Sequence, residues 1–333
     1  MGQPRLTFFC ELETEELQRF FADSAIIDDL LALRACVSLA IHDFSAERAA
    51  VARRLNEAGI PIVAWQLLPK EHGYWFNLDN APQAVTHYIE FRSWTANYDL
   101  RWVSVGVDIE PDIRDFEHLQ SNRWNFMPVI LRRALDNKRL RRAQAIYSAL
   151  VTQMRLDGYR VDSYQLPVIV DERRTGSTLL QRIGGLIDIP ADREVLMLYT
   201  SAVPPSLLWS YAPDAQSIGV GSTGGGVKIK GAGELPALDW DAFSRDLLLA
   251  RHWNDDIAIF SLEGCVLQGF MERLKTFDWD QPIAPPPERM VRLLEGARKA
   301  MRVALWASAH PSIVLGGLIV LFWLGSGRRG GKK

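Results

Sequence analysis

Cysteine is scarce in this chain: Cys10, Cys36 and Cys265 are its three, with no CxxC and no Cys/His spacing of a zinc site. An odd, scattered set excludes a disulfide framework and reads as reduced thiols serving as small apolar core residues. Excess charge of either sign is lacking too. The 38 basic and 40 acidic side chains leave a formal net charge of −2. No global field is available to hold a polyanion, so nucleic acid is not an expected partner. The first residues lack a basic segment followed by an apolar run: the stretch from Arg5 to Cys10 runs straight into the acidic Glu11 to Glu16, which is not a secretory signal. Leu6 stands where an acylation motif needs Ser or Thr. The glycines of Gly219 to Gly226 are followed by no Lys-Ser/Thr and lack dinucleotide spacing, so they read as a flexible turn. The six histidines are scattered, and His42-Asp43 has no second His at helical spacing. No metal and no other cofactor is expected. Internal repeats, heptad arrays and a nucleophile-elbow serine are also missing.

What is present is ordinary globular composition, 48% hydrophobic and 23% charged over 333 residues. Short apolar runs alternate with longer amphipathic ones. Strands are expected at Leu6 to Leu12, Val37 to Ile41, Ile60 to Gln66 and Trp102 to Glu110. The second half offers Asp162 to Ile169, Glu194 to Tyr199, Ser217 to Gly221 and Asp256 to Leu262. The securest stretch places Ser45 as the cap of a helix over Ala46 to Ala58, which Gly59 closes just before a strand. A long helical region with a break is expected over Asp115 to Asp157. Strand–helix alternation implies parallel pairing with right-handed crossovers. Eight such units in residues 1–282 predict a (β/α)8 TIM-type α/β barrel, with an open doubly wound sheet as the alternative.

The C-terminal end differs in character. The stretch Ile283 to Glu288 is Pro-rich, and residues 283–302 read as a linker and basic helical stalk. Residues 303–325 carry no charge apart from a His310 cation, and basic residues flank them on both sides. A membrane span needs about 20 mostly apolar residues, so one transmembrane helix is expected here, with Pro311 tolerated in lipid. Residues 326–333 form a basic tail. With no export signal, this predicts a single-pass membrane protein whose barrel stays in the cytoplasm.

The sharpest site signal is Gly106-Val-Asp-Ile-Glu-Pro-Asp112. Asp108 and Glu110 are two apart, so on a strand they share one face, with backbones roughly 7 Å apart. Two acids ending an apolar run cannot remain charged in a hydrocarbon core. In a parallel barrel the C-terminal ends of the strands form the catalytic rim. Neighbouring carboxyls push each other's pKa values apart, leaving one protonated and one ionised. That division of labour is what glycoside hydrolysis requires.

This segment resembles the end of the fourth strand in chitinase-type (family 18) and lysozyme-type (family 25) glycoside hydrolases, where a D-x-E pair ends that strand and its Glu donates the proton. The resemblance implies Glu110 as general acid and Asp108 as the group that positions or polarises the substrate. The stretch from Tyr74 to Ala81, followed by a helix and then the strand, is also similar to such barrels. The chitinase pattern has a further Asp two residues earlier; this chain has Gly106 there, a departure from that pattern and from the acetamido-assisted chemistry that goes with it.

Other strand ends add acids and aromatics in the same register. Glu263 is expected at the end of the last strand as the second catalytic carboxylate, with Glu11 as the other candidate for that role. Glu11, Asp43, Trp65, Gln66, Asp171 and Tyr199 are expected to line a sugar cleft, by hydroxyl hydrogen bonds and aromatic stacking. The reading is therefore a membrane-anchored glycoside hydrolase with a carbohydrate substrate. The alternatives are a non-catalytic barrel binding glycan or protein at a membrane surface, and a barrel acting on a phosphorylated or lipid-linked substrate beside Arg173 and Arg174.

Overall fold

Ser45 accepts a hydrogen bond from the Arg48 N–H at 3.2 Å, and Gly59 turns the chain at φ 78°, so the helix between them starts and stops where its end residues dictate. The same local chemistry recurs around the chain. The computed structural model describes residues 2–115, 123–227 and 236–316.

β1 (Arg5–Cys10) is followed by α1 (Thr14–Ala22) and α2 (Ser24–Ala32), β2 (Cys36–Ile41) by α3 (Ala46–Glu57), and β3 (Ile62–Gln66) by α4 (Ala81–Asn97). β4 (Ser104–Ile109) precedes α5 (Arg123–Leu135) and α6 (Asn137–Leu156). β5 (Arg160–Gln165) leads to α7 (Val168–Thr175) and α8 (Leu179–Gly184), and β6 (Arg193–Met197) to α9 (Pro205–Tyr211). β7 (Ser217–Gly221) leads to α10 (Trp240–Trp253), and β8 (Asp256–Phe260) to α11 (Leu262–Leu267), α12 (Phe270–Lys275) and α13 (Glu288–Ala309).

Each strand pairs in parallel with the next, and β8 returns to β1, closing the expected eight-stranded barrel. The alternation of side chains splits the apolar residues into two layers. Phe9, Ala40, Trp65, Tyr164, Val195 and Ala258 fill the barrel interior. Phe8, Leu39, Ala64, Val105, Ile218 and Ile259 face the surrounding helices. Across the interior, Tyr164 meets Phe9 edge to face at 4.6 Å and shares a 2.7 Å hydrogen bond with Ser38. A Cβ at Gly106 would lie 2.8 Å from Tyr164 Cζ and run into its hydroxyl. Tyr164 thus fills the space that a longer residue at position 106 would need.

Two larger expectations change. The strand expected to run on to Ile169 ends at Gln165, because Pro167 starts α7 instead. The long helical region has its expected break, at Asp136, whose side chain caps α6 by accepting from the Arg139 N–H.

The second change concerns the C-terminus. The expected stalk is largely taken up by α13, which lies against α7 and α9 on the barrel wall. Arg298 is buried there, its guanidinium 3.6 Å from the Tyr211 ring and paired with Asp171 at 2.9 Å and Asp214 at 2.8 Å. Arg302 pairs with Asp171 at 2.6 Å, and Leu305 is buried. Among the described residues no helix is long and apolar enough to cross a membrane. The segment expected as one span over 303–325 is interrupted at His310, directly before Pro311, which supplies no N–H and disfavours helix in the residue preceding it. Residues 317–325 of that span, and the basic tail 326–333, lie outside the described residues.

Candidate active site at the C-terminal mouth of the barrel

The inward residue of each strand is repeated two positions on, so the strands carry their interior register up to the mouth. Above Phe9 on β1 stands Glu11; above Ala40 on β2 stands His42; above Gly106 on β4 come Asp108 and then Glu110; above Met197 on β6 stands Tyr199. Phe260 ends β8 and stacks on Tyr199 at 5.7 Å.

Asp108 sits deepest, 3% exposed. Its Oδ2 accepts from the Trp65 indole N–H at 3.2 Å, and its buried Oδ1 has no hydrogen-bond partner among the described residues. Burial, reinforced by the charges of Glu110 and Glu11, holds its pKa well above the usual carboxylate range. Glu110 lies one pleat higher and is partly exposed; burial raises it from 4.5 to about 7. The two interact strongly, so they titrate as a pair.

Glu11 completes a second half of the cluster. It accepts the Tyr74 hydroxyl at 2.5 Å and the Val227 N–H at 3.2 Å. Burial raises it from 4.5 to about 8, with the charges of Glu263 and Glu110 adding to that and the Tyr74 hydrogen bond opposing it. Tyr74 comes from the β3–α4 loop, where its backbone is left-handed at φ 65°. That loop is tied to β4 because Phe76 pairs with Ile109 and donates its N–H to the Asp108 carbonyl at 2.9 Å. The Tyr74 hydroxyl is also 3.5 Å from His42 Nδ1. Burial first, and then Arg48, lower His42 to about 3, so its imidazole is neutral.

Glu263 is not on β8, where it was expected. Ser261 caps α11 by accepting from the Gly264 N–H, which puts Glu263 in the first turn of that helix. It still reaches the mouth: its Oε1 accepts the Glu11 N–H at 3.3 Å, and its Oε2 is buried with no hydrogen-bond partner among the described residues. Burial raises Glu263 from 4.5 to about 7. The Gly-rich turn after β7 lies directly over these acids. A Cβ at Gly225 would meet Glu263 Oε1 at 2.7 Å, and one at Gly226 would meet Phe260 Cζ at 2.7 Å and Glu11 Oε2 at 3.2 Å. The glycines are there for close approach to the carboxyls.

Of the residues singled out from the sequence, Glu110, Asp108, Glu11, Glu263, Trp65 and Tyr199 therefore gather around one barrel mouth. Three do not. Gln66 follows inward-facing Trp65 and so points into the strand–helix layer, fully buried, with its amide donating to the Ala64 carbonyl. Asp171 lies on α7, fully buried between the barrel and α13 and paired with Arg298 and Arg302. It was expected at the rim because β5 was expected to extend further. Asp43 is near the rim but already engaged by Thr14 at 2.6 Å and by the buried Arg48 at 3.2 Å. Burial would raise its pKa, but the Ser45 and Thr14 hydrogen bonds and Arg48 outweigh that and bring it down to about 2. It is a standing charge that anchors Arg48.

Sequence reasoning missed Tyr74 as a site residue. Its signal was Gly73-Tyr74-Trp75, an aromatic pair directly after a turn glycine in the loop that follows a strand. Among the described residues, no lysine or arginine forms a salt bridge with Glu11, Asp108, Glu110 or Glu263, and no group of three or more His, Cys, Asp or Glu side chains is arranged to hold a metal ion. What the arrangement can do is present protonated carboxyls, beside ionisable ones, to a polar ligand at neutral pH.

No family model matches the chain, and no curated protein matches it. Among solved structures, it is similar to the PgaB (BpsB) glycoside hydrolase domain from Bordetella bronchiseptica, with 11% identity, a TM-score of 0.48, and coverage of 82% of this chain and 98% of that one. It is also similar to ScGas2, solved in complex with compound 8, with 10% identity, a TM-score of 0.39, and coverage of 77% of this chain and 55% of that one. Likeness at this level assigns no residue and no substrate.

Proposed function

We propose that this barrel is a glycoside hydrolase that cleaves a glycan by carboxyl acid/base chemistry, with Glu110 as the proton donor. The observation that carries the reading is the set of four carboxyl groups at one barrel mouth, without basic partners among the described residues, with Glu110 raised to about 7. An acid with a pKa near the working pH is both protonated often enough and strong enough to donate. Glu110 passes its proton to the glycosidic oxygen as the C–O bond breaks. Asp108 beneath it, kept neutral by burial and held by the Trp65 N–H, adds no second charge against the forming carboxylate. Glu263 is the second carboxylate: it takes the attacking water's proton or bonds to the sugar carbon directly. Tyr199 and Phe260 supply the aromatic surface for a sugar face.

The test is Glu110→Gln assayed on a panel of oligosaccharides. Turnover should fall by about 10²–10⁴-fold with binding retained. Undiminished turnover on every accepted glycan would refute the role. A second reading, a barrel that binds glycan without cleaving it, draws on the glycines packed over Glu11 and Glu263 and on the closed Tyr74–Glu11 hydrogen bond. Tight glycan binding by the unaltered chain with no product by mass spectrometry would favour it.

We also propose that the apolar segment 303–325 tethers the barrel to a membrane. Its support is composition alone. Partition of the full chain into membranes, compared with a chain ended after Ala309 so that α13 is kept, tests this; equal partition of the two refutes it.

A further inference from the structure

Opposite the acid-rich mouth, the strand starts carry arginines: Arg5 opens β1, Arg160 opens β5, Arg193 opens β6, and Arg34 sits in the turn before β2. These four line a cavity of about 260 Å³ at the N-terminal mouth. Arg193 forms its floor. It is buried and held by Asp162 at 3.1 Å, Asp256 at 2.6 Å and Ser217 at 3.0 Å. Arg5 shares Asp256 at 2.9 Å. Arg34 and Arg160 are exposed, and their guanidinium groups form no hydrogen bond or salt bridge to any described residue. The cavity thus sets four guanidinium groups against two carboxylates, with two of the four uncommitted. Arg34 also holds a left-handed backbone at φ 48°, a turn position that glycine or asparagine fills at lower cost. The sequence keeps a long cation there instead.

We propose that this cavity binds a small phosphate-type oxyanion, independently of the carboxyl site at the other mouth. Guanidinium groups match tetrahedral oxyanions through paired charge-assisted N–H bonds. Arg193, fixed and paired by Asp162, Asp256 and Ser217, forms a rigid floor, and the uncommitted charges of Arg34 and Arg160 close from the rim. The volume is below the roughly 300–1,000 Å³ of clefts for drug-sized ligands, which selects inorganic phosphate or a compact phosphate monoester over a nucleotide.

The experiment is calorimetric titration of the full chain with inorganic phosphate, with chloride as the control anion. It is repeated on Arg34→Gln and Arg160→Gln, neither of which touches the carboxyl site. Saturable one-to-one binding is expected, weakened about tenfold by either substitution and abolished by Arg160→Glu. Phosphate should also raise the melting temperature of the unaltered chain, and of the variants much less. Absence of saturable phosphate binding by the unaltered chain overturns the proposal, as does binding that both glutamine variants retain in full. A change in glycan turnover in those variants would overturn the independence of the two mouths while leaving the Glu110 test intact.

Discussion

Replacing Glu11 with Gln tests the electrostatics of the carboxyl cluster without reference to any substrate. In the folded chain Glu11 is raised from 4.5 to about 8, chiefly by burial. The native state therefore keeps a proton that the unfolded chain gives up, and folding stability must fall as pH rises from 4.5 to 8 and level off above that. Worked through the two values, Glu11 removes less than about 1 kcal/mol at pH 5 and about 3 kcal/mol at pH 7. The amide does not ionise, so Glu11→Gln should lack about 2.5 kcal/mol of this decline between pH 5 and 7. A chain of 333 residues unfolds with an entropy near 0.7 kcal/mol/K, so the difference appears as about 3–4 °C in melting temperature. The amide can accept from only one of Tyr74 and Val227 with its single oxygen, which costs about 1 kcal/mol at every pH and leaves the slope untouched. Scanning calorimetry of both proteins at half-unit pH steps reads the slope directly. Parallel curves, or a variant that loses more stability than the parent on going from pH 5 to 7, would show that Glu11 is ordinarily ionised in the fold. The proton inventory proposed for the mouth would then be wrong.

Two further substitutions probe the scaffold around that site. Gly106→Ala places a Cβ against Tyr164 and should cost about 1–3 kcal/mol by overpacking, read by urea unfolding; Tyr164→Phe in the same chain should return part of the loss. Asp171→Ala leaves Arg298 buried without its main partner and should destabilise by about 3–5 kcal/mol, with α13 becoming the first segment cut by protease. Burial would raise Asp171, but Arg298, Tyr211 and Arg302 bring it below the usual carboxylate range. Its contribution is present above the unfolded pKa and is lost as pH falls through the folded one, the opposite sign to Glu11, so the parent and Asp171→Ala should converge in stability only in strong acid.

The alternation of short apolar runs with capped helices determined a parallel α/β fold of eight units, with barrel and open sheet both left standing, because helix ends and strand periodicity are local chemistry: Ser45 and Gly59 bound a helix whatever surrounds them. The same-face placement of Asp108 and Glu110 was equally local, a consequence of the two-residue pleat. Tertiary structure decided what those acids meet. Tyr74 reaches Glu11 across 63 residues, and the Glu11 N–H reaches Glu263 across 252. No periodicity encodes such contacts, because closure of the barrel creates them. The C-terminal segment shows the same division from the other side. Composition made residues 283–302 a Pro-rich linker and basic stalk; only the carboxylates of Asp171 and Asp214 on the barrel wall decided that Arg298 would be drawn inward against Tyr211 instead of facing water. A charge read in sequence has no address until a fold supplies its partner.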